Sequence, residues 1–496
     1  MDTDVIIVGA GPTGLMLAGE LRLGGARVVV AESLGAPTGQ SRGLGFTARA
    51  MEVFDQRGLL PGFGHLETSP VGHFGGVQFD YTALEDAHFG ARGVPQSQTE
   101  AVLEEWASSL GADIRRGWEF SSLTDHGDGV EITFRTAEGE QRLRAAYLVG
   151  CDGGHSAVRG AAGFDFPGSP ATRGMYLADV VGCDLRPRFL GEKLANGMVM
   201  AAPLGEGVDR VIVCPHGAPV RDRSETVTFE EVAAAWQRIT GEDISHGGAV
   251  WVSSFTDATR QVTEYRRGRV LLAGDAAHIH LPAGGQGLST GVQDAVNLGW
   301  KLAAEVAGWA PEGLLDSYHT ERHAVGVRLL NNTRAQGTVF LGGEEADPLR
   351  ELFTELLTHD EVKKHLAGSV SHLDIRYDLG PGEHGEHPLL GRRLPPRALR
   401  TSAGTTTGTA ELLHSAQGVL IDPTDDAELH RTAAGWKDRV VTVVAAPDEA
   451  QTRSDPFAGA AVLVRPDGYV VWTSADGAGA ESALRRWFGP STADAS

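Results

Sequence analysis

Gly9, Gly11 and Gly14 are the first residues whose types and spacing point to chemistry. They follow the apolar run Asp4 to Val8 as Gly9-Ala-Gly11-Pro-Thr-Gly14, and Leu15 to Leu23 then continues with helical spacing. In that setting Gly9 allows a tight turn out of a strand, Gly11 lets the backbone approach a pyrophosphate, and Gly14 lets helix and strand pack closely. The start of the helix turns free N–H groups and the positive end of its dipole toward phosphates. A second apolar run, Arg27 to Ala31, ends in Glu32, where a carboxylate can accept hydrogen bonds from an adenosine ribose. The whole is one βαβ unit that predicts a bound dinucleotide, with FAD and NAD(P) both left open.

Two further motifs put acids at strand ends. Tyr147-Leu-Val-Gly-Cys-Asp152-Gly-Gly-His-Ser156 sets Asp152 where doubly wound sheets bind ligands. The longest motif, Arg269 to Gly291, delivers Asp275 from a buried strand and then runs Pro282-Ala-Gly-Gly285-Gln-Gly287-Leu288 into a helix predicted over 292–307. Such a helix start stabilises negative charge, which suits an anion formed only during the reaction, such as a reduced flavin. His278 and His280 are candidate bases, although histidines beside a cofactor more often pack or hydrogen-bond. No side chain is assigned as catalytic. Gly43-Leu-Gly45-Phe-Thr-Ala48 repeats the phosphate pattern without a strand to feed it and reads as a loop. Its neighbour Arg42 is either solvated or reaches back to the cofactor.

The elements that must position these residues come from a chain of 496 residues, enough for about three domains. Hydrophobic content of 41% and charged content of 22% describe a globular protein with ample core. A net charge of −22 argues against nucleic acid and anionic membranes as partners. Cys151, Cys183 and Cys214 are odd in number and widely spaced, so neither a disulfide framework nor a metal site is expected. The chain enters its first strand directly and has no long apolar run, so a cytoplasmic location is expected.

After Glu32 a loop leads into a helix predicted over 48–57. Residues 61–94 have little periodicity, as in a crossing between domains, and Val94-Pro-Gln96-Ser-Gln-Thr-Glu100 precedes an amphipathic helix predicted to end near Leu110. Segments 113–120 and 129–135 alternate as antiparallel strands, before a parallel one at 146–150. Residues 175–255 alternate in strand fashion around one helical stretch, Phe229 to Ile239. Residues 346–395 are helical and then Pro/Gly-rich, with Pro381-Gly and Pro395-Pro as boundary signals. Beyond them Gly418 to Ile421, Val440 to Val444 and a hairpin turning at Pro466-Asp-Gly468 read as strands, and Ala480 to Trp487 as a helix.

In order and spacing the three motifs resemble those of the class A flavoprotein aromatic monooxygenases, the group of p-hydroxybenzoate and phenol hydroxylases. The resemblance is closer still to bacterial aromatic polyketide hydroxylases of angucycline pathways. It is carried by Ser41-Arg-Gly-Leu-Gly-Phe-Thr-Ala-Arg49, Glu264-Tyr-Arg-Arg-Gly-Arg269, His280-Leu-Pro-Ala-Gly-Gly-Gln286 and Gln293-Asp-Ala-Val-Asn-Leu-Gly-Trp300. It implies an α/β fold in which residues 1–72, 95–174 and 263–345 form a Rossmann-like FAD-binding domain of the p-hydroxybenzoate hydroxylase type. Residues 73–94 would cross into an inserted, sheet-rich substrate domain at 175–262. Residues 346–395 would connect to a thioredoxin-like C-terminal domain at 396–496, which lacks cysteines.

The resemblance also implies that Glu32 binds the ribose, that Arg42 and Gln96 contact FAD, and that Asp152 and Asp275 belong to the flavin site. The loop Pro282 to Gly291 would lie beside the isoalloxazine. Relatives commonly carry Asn where this chain has Ser289; because the loop contributes through backbone N–H groups, FAD binding should survive the change.

The expected function is hydroxylation of a phenolic, fused-ring aromatic polyketide by non-covalent FAD, through a flavin C4a-hydroperoxide formed with O₂. NADPH would bind transiently, since no second strand-linked glycine fingerprint is present. Competing readings on the same fold are a Baeyer–Villiger oxygenase, a reductase, and a flavoprotein that carries or senses a polyketide. Association as a homodimer is left open.

Overall fold

In the computed structural model all residues are described except 67, 85–89, 91–92, 222–224, 381–386, 449–456, 458, 477–478 and 493–496. The Pro381-Gly boundary signal therefore lies outside the described residues.

An eight-stranded sheet carries all three motifs. Its central strands, Val270–Leu272, Gly139–Gly150, Thr3–Val8 and Val28–Glu32, are parallel neighbours in that order. Parallel strands are covered on both faces, so they need continuous apolar runs; Val5 to Val8, Val28 to Ala31, Leu148, Val149 and Val270 to Leu272 are all buried. The strands also end in step, because Val8 pairs with both Ala31 and Gly150, and Gly150 pairs with Leu272. All three motif loops thus leave the sheet at one edge.

Three details depart from the periodicity. Asp113–Arg116 joins this sheet parallel to Val28–Glu32, and the antiparallel pair begins at Glu119. The strand expected at 146–150 is the end of a longer one from Gly139, whose polar first half pairs with Val130–Thr136. The helix expected from 292 begins at Gln286 and runs to Val306. Gly287 and Gly291 hid its first turns, since glycine lowers helix propensity, but close packing along the helix requires Gly291 and, further on, Gly299. A Cβ at Gly291 would lie 2.3 Å from Thr13 Oγ1, and one at Gly299 would lie 2.4 Å from Glu20 Cβ.

The inserted sheet has the order Arg188–Leu194, Gly197–Gly205, Val208–Pro215, Gly174–Val181, Gly248–Thr256, all antiparallel. Alternation gives it two faces. Ala178, Val180, Val199, Val211 and Val213 pack on the helix Phe229–Thr240, which starts in a Thr228/Glu231 capping box. Met175, Met198 and Cys214 point the other way and pack with Leu281 and Ala283 of the third motif.

The C-terminal sheet has six strands, in the order Thr406–Gly408, Ala398–Thr401, Val440–Pro447, Gly418–Asp422, Val462–Val464, Val470–Thr473. Its hairpin tip, Arg465 to Gly468, is driven into the first domain. Arg465 bonds Glu321 at 2.6 Å and Asp467 at 2.5 Å, and Lys301 bonds the same Glu321 at 2.8 Å. Arg49 donates to the Asp467 carbonyl and Arg57 to the Pro466 carbonyl, while Arg57 also pairs with Glu20 at 2.5 Å. All of these side chains are buried.

Candidate functional site: a cleft at the shared strand edge

Beyond the ends of the parallel strands lies a cleft of about 490 Å³, lined among others by Gly9, Gly11, Glu32, Arg42, Gln96 and Asp152. The three glycines of the first motif behave differently there. Gly9 has a φ of +106°, and a Cβ on it would sit 2.4 Å from the Cys151 carbonyl oxygen. A Cβ on Gly14 would meet the Gly9 carbonyl oxygen at 2.0 Å. Around Gly11, which caps the helix Pro12–Leu23, a Cβ would meet nothing within 4 Å. Two glycines let the protein close on itself, and the third leaves room.

Glu32 accepts from the Ala10 N–H at 2.8 Å and the Leu34 N–H at 2.9 Å, so its carboxylate is held facing the glycine turn. Asp152 Oδ2 accepts from the Val158 N–H at 3.1 Å, whereas the buried Oδ1 has no partner. Burial raises the Asp152 carboxyl, against the hydrogen bonds it accepts from Ser156 and Val158. Asp275 keeps part of its surface open to solvent, but the protein packed around its carboxyl raises it, as does Asp294, while His278 and Arg42 pull it down. Arg42 is itself exposed.

Gln96 does more than line the cleft. Its Oε1 accepts from the Gly43 N–H at 3.1 Å, its own N–H donates to the Gly43 carbonyl, and its Nε2 donates to Glu100 at 2.8 Å. With the Ser41–Ser97 hydroxyl bond at 3.0 Å, this ties the loop bearing Arg42 to the helix Gln96–Ser109. Across the loop, Gly43 abuts Leu288, whose Cδ1 would be 2.1 Å from an added Cβ. Pro282 and Gly285 are exposed, and Gly287 faces His280, whose Nε2 would be 3.3 Å from a Cβ there. Ser289 is fully buried and accepts from the Thr47 N–H at 2.9 Å. Ser289→Ala is expected to destabilise the protein by about 1–3 kcal/mol by orphaning that donor; an unchanged thermal midpoint would show that the bond carries no stability.

Neither histidine is placed as a ready base. His278 is fully buried and bonds Asp294 at 2.8 Å, and Asp294 also pairs with Arg322 at 2.7 Å and accepts from the Gly274 N–H. His280 engages the Leu281 carbonyl through Nδ1 at 2.7 Å, and burial pushes it down to about 4, so it is neutral at neutral pH. The residues missed by motif reading are those behind the cleft: Thr13, wedged between Gly274 and Gly291, and the Asp294–Arg322 pair. Asp294 stood inside the quoted Gln293 to Trp300 stretch, but its partner Arg322 had no local signal. Among the described residues no cluster of His, Cys, Asp and Glu could hold a metal ion, and no helix is long and apolar enough to cross a membrane.

The family model of the FAD binding domain matches residues 2–333, and that of the aromatic-ring hydroxylase C-terminal domain matches residues 387–491. The chain belongs to the FAD-dependent aromatic-ring hydroxylases. This hydroxylase is 45% identical to the 12-dehydrotetracycline 5-monooxygenase/anhydrotetracycline 6-monooxygenase of Streptomyces rimosus, over 99% of both chains. The crystal structure of CabE, an aromatic hydroxylase from angucycline biosynthesis, matches it with a TM-score of 0.95 and 60% identity, covering 99% of this chain and 100% of that one. The Diels-Alderase PyrE3 of the pyrroindomycin pathway matches with a TM-score of 0.87 and 39% identity, over 99% and 100% of the two chains. The hydroxylase is a flavoprotein monooxygenase using FAD, NAD(P)H and O₂.

Proposed function

We propose that the hydroxylase adds oxygen to a phenolic, fused-ring aromatic polyketide of the angucycline type, with NADPH as electron donor. The observation that carries this reading is the 60% identity to CabE over essentially the whole chain, inserted sheet included. The cleft, lined by the glycine turn, Glu32, Arg42, Gln96 and Asp152, would take the adenosine and pyrophosphate part of FAD. Gly9, Gly11 and Gly14 would leave the pyrophosphate its room, Glu32 would take the ribose, and Arg42, Gln96, Asp152 and Asp275 would complete the site. Pro282, Gly285, Gly287 and Leu288 would flank the flavin ring. The open space at Gly11 and the orphaned Asp152 Oδ1 support that assignment. FAD supplies the redox chemistry that activates O₂; the protein orients it, excludes water and stabilises developing negative charge.

The domain boundaries proposed are those stated from the sequence, with a thioredoxin-like C-terminal unit that is redox-silent because no cysteine lies beyond Cys214. The mixed sheet, with its parallel Gly418–Asp422 and Val440–Pro447 pair, supports that label.

Flavin reduced without substrate would waste NADPH as peroxide, so reduction gated by substrate suits an enzyme whose nicotinamide binds transiently. The test is anaerobic stopped-flow reduction with and without a tetracyclic phenol, followed by product mass. The expected result is reduction at least tenfold faster with the phenol and a product heavier by one oxygen. Equal rates would remove gating, and turnover of single-ring phenols alone would remove the polyketide assignment. A product of unchanged mass would place the enzyme with PyrE3.

A further inference from the structure

The loop that opens the helix Gln286–Val306 contains two consecutive glycines in the left-handed region, Gly284 at φ +71° and Gly285 at φ +65°. Such a pair has little rigidity of its own, so its shape must come from its surroundings. The Gln286 side chain supplies part of it by donating to the Ala283 carbonyl at 3.1 Å and to Asn332 Oδ1 at 3.2 Å. What holds Gln286 comes from outside the cofactor motifs. His372, just past the helix Asp360–Ser371, lies 3.2 Å through Nε2 from Gln286 Oε1 and 2.9 Å through Nδ1 from Gln293 Nε2. Gln286 and Gln293 stand two turns apart on one helix face, and the imidazole bridges them.

The hydrogen bonds of this chain have a single consistent direction. Gln293 Nε2 must donate to the Ser289 carbonyl, at 3.0 Å, and gives its other hydrogen to His372 Nδ1. His372 Nε2–H then donates to Gln286 Oε1, which leaves the Gln286 amide to hold Ala283 and Asn332. Burial pushes His372 down to about 3, which keeps Nδ1 free to accept. His372 also adopts φ +64°, at a helix end where glycine is usual and a Cβ is strained. Glycine would fit the backbone better, so the ring is what the position retains.

We propose that His372 is a positioning residue for the flavin: by locking Gln286 and Gln293 it fixes the Pro282 to Gly287 loop, so that the N–H groups of the helix start meet the negative charge that appears when FAD is reduced. This rests on the FAD site proposed above. Preorganised donors matter most where charge develops, so loosening them weakens the grip on reduced FAD more than on oxidised FAD.

The experiment measures the midpoint potential and dissociation constant of FAD in the wild type, His372→Gly, Gln293→Met and the double variant. Both single variants are expected to hold oxidised FAD within about threefold of wild type. They are expected to bind reduced FAD about tenfold more weakly, a fall of about 30 mV for a two-electron couple. The double variant should fall no further than the lower single one, because one bridge has been cut twice. Unchanged potentials, additive falls, or loss of FAD from His372→Gly with no shift in Gln293→Met would overturn the proposal. Failure of the wild type to bind FAD would instead overturn the site assignment beneath it.

Discussion

Replacing Gly11 with valine is expected to abolish stoichiometric FAD binding while leaving the fold in place. The expectation follows from the contrast among the three glycines. Gly9 is left-handed and Gly14 has a carbonyl oxygen 2.0 Å from where its Cβ would be, so substitution at either strains the protein itself. Gly11 has φ −77° and open space around it, so a Cβ added there meets no protein atom within 4 Å. What it would meet is the pyrophosphate. A loss of affinity of at least about a hundredfold, or about 2.8 kcal/mol, is expected, with circular dichroism unchanged. Gly14→Val should do the reverse and lose folded protein. Retention of one FAD per chain by Gly11→Val would remove the phosphate assignment.

The second large effect is expected from Arg465→Ala. It would leave Glu321 and Asp467 buried with Lys301 and Asn297 as their remaining partners. Breaking one side of a buried ion network costs about 3–5 kcal/mol, against roughly 0–1 kcal/mol for an exposed pair such as Arg135–Glu119. Arg135→Ala is therefore the control. A thermal midpoint that moves no more for Arg465→Ala than for Arg135→Ala would refute the ranking.

The same network predicts an acid limit. Burial would raise the Glu321 carboxyl, but Arg465 and Lys301 overcome this and hold it well below its ordinary 4.5. A depressed folded value means that the stabilisation is fully present above about pH 4.5 and is lost as the pH falls below it. Glu321→Gln should flatten that part of the stability profile.

Much of the architecture was legible because it is written locally. The strand Thr3–Val8, its glycine turn and the helix behind it lie within one short window, and the same holds for the strand ends that carry Asp152 and Asp275. That these loops emerge side by side follows from parallel pairing, which the apolar runs announce. Other contacts have no local trace. Arg465 and Glu321 are far apart in sequence, and each alone reads as an ordinary surface charge. His372 looks like one more histidine in a connecting helix, and its left-handed backbone is invisible to pattern reading. Gln96 was assigned to the cofactor by resemblance; the structure adds its grip on Gly43, which neighbouring residues do not reveal.

The depth at which the hairpin tip is buried also bears on how the chain is made. The carboxylate of Glu321 and the guanidinium groups of Arg49 and Arg57 belong to the first domain, yet their partners, the Arg465 side chain and the carbonyls of Asp467 and Pro466, lie on the hairpin, with Arg465 following Glu321 by 144 residues. After Glu321 emerges, elongation needs on the order of 10 s to deliver them. During that interval Glu321 has only Lys301 and Asn297 as partners, the Arg49 and Arg57 guanidinium groups lack the hairpin carbonyls, and the nascent first domain cannot reach its final packing. A nascent chain stalled just before Arg465 should therefore be digested by protease within the first domain, and one stalled far enough beyond Gly468 for the hairpin to emerge should resist.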